Sequence, residues 1–288
     1  MKKTLEKTYH TTIKLCRTVA CLASVGVFSS FKAGRALKKA HHDGDSDSVL
    51  VLGNGPSLKE HFEHGLDYFK EHDSIAVNFF ANTDEFAAIQ PKYYMLLDPA
   101  FFEGPISKEE RTIKLLEHLN SVSWKMTLFI PYVKSTEGIR RKLTNENVTI
   151  QLFNKVTFEG LPCVERWIWD NGLGVPSSIN VLIPAVMMMM AMKYKNIYLY
   201  GADFSWMSLI AVDPQNNRAY MNDRHFYDMS SVVYFEKGRY KMNSYYNYQA
   251  FDAMDRIADY AQHRGINIVN RSQGSFIDSF PYEKPSWL

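Results

Sequence analysis

The feature that most constrains this chain is a short apolar run, Val49-Leu50-Val51-Leu52, that breaks into Gly53-Asn54-Gly55-Pro56-Ser57. Such a run predicts a strand buried on both faces, and the amphipathic stretch over 58–70 predicts a helix. Strand, glycine turn and helix in that order open an α/β fold. In such a turn the glycines let the backbone approach a ligand. The helix N-terminus adds N–H groups and the positive end of a dipole. A phosphorylated ligand at this turn is the first expectation.

The same alternation continues. Strands are expected at 74–79, 93–97, 125–130, 149–153, 196–200 and 266–269, and helices at 108–119, 177–193 and 248–264. Residues 83–89 read as helix or loop, and 157–169 as irregular. Parallel strands joined by right-handed helical crossovers make a doubly wound sheet. The expected fold class is therefore α/β, a mostly parallel Rossmann-like sheet, with a long catalytic or lid loop over 205–240 and a basic N-terminal helix. Met187 to Met190, inside the apolar helix, read as core packing.

Charge divides the chain into three parts. Residues 1–42 carry nine lysines and arginines against one acid, Glu6, which leaves 24 basic and 30 acidic residues for the rest. The net charge of +2 argues against a dedicated nucleic-acid binder. The apolar part of this segment, 19–31, is shorter than the roughly 20 residues of a spanning helix, and lysines and arginines flank it on both sides. A basic helix lying on anionic lipid and a helix packed on the body both fit. Residues 43–48 are a polar linker, and 49–288 form the α/β domain. Three cysteines, Cys16, Cys21 and Cys163, supply neither a disulfide framework nor a zinc site.

In an open parallel sheet, ligands gather past the carboxyl ends of the strands. The residues placed there are Gly53, Asn54, Gly55 and Ser57, then Asn78, Asp98, Asp203, and Ser177 and Ser178 at the expected start of the apolar helix. Each alone is an ordinary cap or turn residue; their convergence on one edge points to a ligand site. The turn lacks the Lys-Ser/Thr of a Walker loop and the spacing of a dinucleotide fingerprint. The 205–240 segment adds Tyr220, Asp223, Arg224, His225, Tyr227 and Asp228 within nine residues. Imidazole titrates near neutral pH, so His225 suits a general base. Arg224 or a tyrosine hydroxyl suits a departing phosphate. An ordinary exposed loop has the same composition. No metal-ligand motif occurs.

Taken in order, Gly53-Asn54-Gly55-Pro56-Ser57-Leu58-Lys59, Asn78-Phe79-Phe80, Asp98-Pro99-Ala100-Phe101-Phe102, Ser177-Ser178 and Ile197-Tyr198-Leu199-Tyr200-Gly201-Ala202-Asp203-Phe204 resemble the bacterial sialyltransferases of the Campylobacter lipooligosaccharide type. They also resemble the broader group that includes the archaeal pterin pyrophosphokinase-like domain. The resemblance implies a metal-independent, inverting transferase with a CMP-activated nonulosonic sugar as donor and no other cofactor. It puts Asn54, Ser57 and Asn78 on the nucleotide and carries a hydroxyl pair over to Ser177 and Ser178. The family's Asn-Pro is Asp98-Pro99 here, and an unpaired carboxylate there would repel an anionic donor. Its His-x-x-x-His falls on His225 and Met229, which leaves His225 or Asp228 as base. The family tyrosine after Asp-Phe is replaced by Ser205-Trp206, so that Tyr220 or Tyr227 would supply its hydroxyl.

The expected function is transfer of a sugar to a surface glycan or lipid-linked acceptor in lipopolysaccharide synthesis. The enzyme would sit on the cytoplasmic face of a bacterial inner membrane through residues 1–42, without nucleic acid as partner and with a homo-oligomer allowed. Two other readings stay open. One is a Mg²⁺- and ATP-dependent pyrophosphokinase-like phosphotransferase in which Asp98 and Asp203 face the metal. The other is an inactive nucleotide-binding scaffold of a membrane assembly.

Overall fold

A computed structural model of the protein describes residues 2–98, 101–103, 106–225 and 228–288, without the side chains of 2–10, 106, 134, 223–225 and 228–231. The elements run α1 (Lys2–Phe28), α2 (Phe31–Lys39), β1 (Ser48–Leu52), α3 (Ser57–Lys70), β2 (Ser74–Val77), α4 (Asp84–Ile89), β3 (Tyr93–Met95), α5 (Glu110–Asn120), β4 (Met126–Pro131), α6 (Glu137–Lys142), β5 (Val148–Phe153) and α7 (Pro162–Asp170). There follow α8 (Leu182–Ala191), β6 (Asn196–Tyr200), β7 (Ile210–Asp213), β8 (Arg218–His225), β9 (Asp228–Tyr234), α9 (Arg239–Arg264) and β10 (Asn267–Asn270).

Seven strands form one sheet in the order β10-β6-β1-β2-β3-β4-β5, every neighbouring pair parallel. This is the doubly wound fold the alternation predicts. β1 shows how the residues impose it. Val49 and Val51 join the core that contains α8 and α9, while Leu50 and Leu52 join the core under α3. Both faces are apolar because both are covered. From β1 the chain winds outward through β2 to β5, then returns to place β6 on the other side of β1. The order reverses there, between β1 and β6.

Several elements depart from the sequence reading. The long loop contains a three-stranded antiparallel sheet, β7-β8-β9. Its first turn closes on Asp213, whose carboxylate accepts the Gln215 N–H and the Asn216 amide, with Asn217 at φ 53. That is hairpin chemistry, hidden in the sequence by polar residues along β8. α7 forms within the stretch expected to be irregular: its buried Glu165, held by the Gly160 N–H at 2.6 Å and Arg256 at 2.6 Å, interrupts the apolar period. α9 begins at Arg239 rather than 248; its first turns are exposed, with Tyr240, Met242 and Tyr245 in solvent, and carry no apolar stripe to mark them in the sequence. α8 begins at Leu182, so Ser177 and Ser178 do not open it. Met187 to Met190 are buried, as core packing requires.

The N-terminal helix is longer than its 19–31 core suggests: Thr11–Phe28 is long and apolar enough, by length and composition, to cross a membrane. It is tied to the body along one side. Arg17 pairs with buried Glu159, the Thr18 hydroxyl accepts the Leu161 N–H at 2.9 Å, and Val25 enters the core.

Candidate functional site

The turn after β1 is bonded on both flanks. Gly53 N–H donates to the Tyr200 carbonyl at 2.8 Å and Gly55 N–H to the Gly201 carbonyl at 2.9 Å, while the Asn54 carboxamide donates to the Val77 carbonyl at 3.2 Å. Thus the ends of β1, β2 and β6 are locked together at the point where strand order reverses.

The glycines serve this approach of two turns. A Cβ at Gly53 would overlap the Gly201 carbonyl; one at Gly55 would lie 2.6 Å from the same oxygen and collide with the Asp203 carboxylate. Gly201 itself sits at φ 63, and its Cβ would lie 2.7 Å from the Gly53 carbonyl oxygen. Packing between turns therefore explains the glycines by itself.

The α3 N-terminus differs from the expectation of open N–H groups. Asp203 Oδ2 accepts the Ser57 N–H at 3.1 Å, and Leu58 and Lys59 donate to the carbonyls of Gly55 and Pro56. The protein's own carboxylate occupies the position in which a phosphate was expected. Asp203 is 5% exposed, and burial raises its pKa against the opposing hydrogen bond from the Ser57 N–H.

A cleft of about 150 Å³ opens beside this junction. Asn54, Gly55 and Pro56 line it from β1, Val77 and Asn78 from β2, Asn180, Val181 and Leu182 from the start of α8, and Gly201 and Asp203 to Trp206 from β6, with Leu209. Asn54 Oδ1, Asn78 Oδ1 and Asp203 Oδ1 are buried and have no hydrogen-bond partner among the described residues. Two lining residues hold left-handed backbone, Asn78 at φ 52 and Phe204 at φ 49. For a bulky residue such as Phe204 this is a strained conformation. Among the described residues the lining contains no lysine, arginine or histidine. No group of three or more metal-ligating side chains occurs among the described residues.

The structure thus brings Asn54, Gly55, Asn78 and Asp203 together, with Gly53 and Ser57 building the wall behind them. Asp98 is exposed and lies outside the lining. Ser177 is buried, its N–H on Glu159 Oε1 at 3.2 Å, and Ser178 is half-buried; neither lines the cleft. Their place is taken by Asn180, whose Oδ1 accepts the Leu182 N–H at 2.8 Å. Asn ahead of an apolar helix is itself a cap signal; the serine pair three residues earlier obscured it.

Tyr220 lies within β8, opposite Ala211 and Tyr234, its ring 5.5 Å from the Tyr234 ring. His225 and Asp228 form the last facing pair of the β8–β9 hairpin, with Arg224 beside them; their side chains, and Tyr227 altogether, lie outside the described residues. The hairpin grows from the cleft wall. The 3₁₀ turn Ser205–Leu209, which supplies Ser205, Trp206 and Leu209, runs directly into β7. Ile210 faces Met221, so β8 continues four residues past the start of β7, about 13 Å at a strand's rise per residue.

No protein-family model matches the chain, and no curated protein matches it. Among solved structures it is similar to the MAf glycosyltransferase from Magnetospirillum magneticum AMB-1, with 17% identity and a TM-score of 0.48. That likeness covers 88% of this chain and 38% of the other, so the chain spans well under half of that protein's length.

Proposed function

We propose that the protein is a glycosyltransferase that seats the nucleoside of a nucleotide-activated sugar in the cleft at the β1–β6 switch point. One observation carries this reading: three buried acceptor oxygens, on Asn54, Asn78 and Asp203, without a partner among the described residues, in a cleft whose described lining has no cation. Buried acceptors are matched as a rule, and a ligand rich in N–H and O–H donors matches these. A ribose and the exocyclic amine of cytosine have that character; a bare phosphate does not. The donor fits as a CMP-linked nonulosonic sugar whose phosphate lies outward, toward the β8–β9 hairpin.

In this scheme His225, or Asp228 beside it, takes the proton from the acceptor hydroxyl. The acceptor oxygen bonds to the anomeric carbon as the bond to the phosphate oxygen breaks, with inversion, and CMP departs. Arg224 and the tyrosines Tyr220 and Tyr227 offset charge on the departing phosphate, in the role a metal fills elsewhere. α1, with its exposed apolar side chains, would hold the enzyme against the membrane that carries a glycolipid acceptor.

Calorimetric titration of the full chain tests the donor reading. Binding of cytidine and CMP is expected, with no requirement for Mg²⁺. Binding of ATP with Mg²⁺ in place of CMP would overturn it in favour of phosphotransfer. CMP binding without hydrolysis or transfer of any CMP-sugar would favour the scaffold reading.

A further inference from the structure

A second cavity, of about 610 Å³, lies on the same edge of the sheet and has no part in the donor cleft. Ser24, Val27 and Phe28 of α1 form one wall, the residues after β4, Tyr132 and Val133, another, and Lys155 to Thr157 after β5 the third. Its walls are held firmly. The Asn154 carboxamide bonds both the Ser30 N–H, at 2.7 Å, and the Ser30 carbonyl, at 3.0 Å, and the Ser29 hydroxyl donates to the Leu173 carbonyl at 2.6 Å. The α1–α2 junction is therefore fixed to the carboxyl end of β5.

The lining is largely apolar, with hydroxyls on Ser24, Tyr132 and Thr157 and, among the described residues, one cation, Lys155. Val27 is 73% and Phe28 66% exposed, large apolar surface left in the open. Lys155 is half-buried and has no hydrogen bond or ion pair among the described residues. The helix that forms this wall also leaves Leu15, Val19 and Leu22 exposed, on another face, within the stretch long enough to cross a membrane. A single cation in a largely apolar groove walled by such a helix suits an amphiphile with a hydrocarbon chain and an anionic head.

We infer that this groove binds the lipid phosphate of a lipid-linked acceptor, its chain along Val27 and Phe28 and its phosphate on Lys155. The inference rests on the glycosyl-transfer reading for its purpose. β1 and β4 are three strands apart and β1 and β5 four, about 14 and 19 Å at the spacing of neighbouring strands. A saccharide head group anchored here would extend along the strand ends toward the donor.

Photolabelling of the full chain tests this, with dodecyl phosphate carrying a terminal diazirine and the matching dodecanol as probes. Labelled peptides are expected to cover 24–28 together with 132–133 or 155–157, and plain dodecyl phosphate is expected to compete. Lys155→Gln should cut labelling by the phosphate probe about tenfold, the worth of one charge-assisted contact. It should leave the dodecanol probe unchanged, and Lys155→Arg should restore the phosphate probe. Thr157→Trp, at an exposed position, should fill the groove and reduce both probes. Label confined to the outward face of α1 and indifferent to these substitutions would overturn the inference, as would a cross-linked second copy in place of lipid. Absence of label in a protein that still binds CMP removes the groove alone; the expected label in a protein that fails to bind CMP removes the donor reading alone.

Discussion

The two ends of the parallel sheet use polar residues in opposite ways. At the amino end, Lys92 Nζ lies 2.6 Å from Asp43 and 2.9 Å from Asp73, and the Tyr194 hydroxyl donates to the same Asp73 at 2.5 Å while standing 3.1 Å from the Tyr93 hydroxyl. Charge there is consumed within the chain. At the carboxyl end, three oxygens on Asn54, Asn78 and Asp203 have no partner among the described residues, and two cleft residues hold left-handed backbone. Unmatched acceptors and backbone strain both cost stability. The amino end is not free of either, since Ser74 Oγ is buried without a partner among the described residues and Gln90 and Lys193 hold φ 54 and φ 74 just before β3 and β6. What sets the carboxyl end apart is that its three unmatched acceptors and both strained residues line one cleft, the candidate site.

The largest effect expected at the open end comes from its closest packing. In Gly53→Ala the new methyl group meets the Gly201 carbonyl, part of a backbone that cannot rotate away. A loss of roughly 3 kcal/mol is expected by chemical denaturation. Gly26→Ala is the control: nothing lies within 4 Å of that added Cβ, in the last turn of α1, and a gain of no more than about 0.5 kcal/mol is expected. Equal effects would mean that the two turns are not locked.

Beside the cleft, the same end of the sheet is closed by aromatics. His61 is fully buried, its ring edge-on to Tyr200 at 4.9 Å. Burial, with neither ring nitrogen hydrogen-bonded among the described residues, lowers its pKa. The unfolded chain therefore binds this proton more readily than the folded one, and stability rises with pH. His61 contributes fully above about pH 6.5 and costs up to about 1.4 kcal/mol for each pH unit below it. Urea melts between pH 7.5 and 5 should show that slope, and His61→Phe should flatten it. An unchanged slope would put the acid sensitivity elsewhere.

At the open end, Asn78→Gly removes an unmatched acceptor and relieves the positive φ together. Stability should hold or rise slightly, while cytidine affinity falls about tenfold. If affinity is unchanged, the unmatched oxygens are not the binding groups.

The sheet was legible because buried parallel strands announce themselves: the run from Val49 to Leu52 is apolar at every position since α3 covers one face and α8 with α9 the other. That Asn54, Asn78 and Asp203 share one cleft was legible for the same reason, since residues just past such strands gather at one edge of the sheet. What escaped was set by contacts distant in sequence. Glu165 in α7 is intelligible only with Arg256, 91 residues away. The role of Ser177 depends on Glu159, and Glu159 also holds Arg17 of α1. The β7–β9 sheet escaped because polar residues along β8 conceal the alternation of a half-buried strand. Asp203 was placed at the right edge, but that its carboxylate would cap α3 and displace the expected phosphate could not be read from spacing.

The smallest effect is expected at the closed end, and it tests whether the two ends are independent. Lys92→Met removes the cation shared by Asp43 and Asp73. Asp43 is almost fully in water, and Asp73 keeps its bond from the Tyr194 hydroxyl. A loss of only about 1 kcal/mol is therefore expected, less than for a fully buried pair. Cytidine affinity should not move, because the strands separate this network from the cleft and every strand of β1, β2 and β6 keeps its ladder. Titration of Lys92→Met beside Asn78→Gly decides the matter. Should the lysine variant lose affinity comparably, the amino end would be setting the geometry of the cleft through those strands, and the contrast between the two ends would be one of degree.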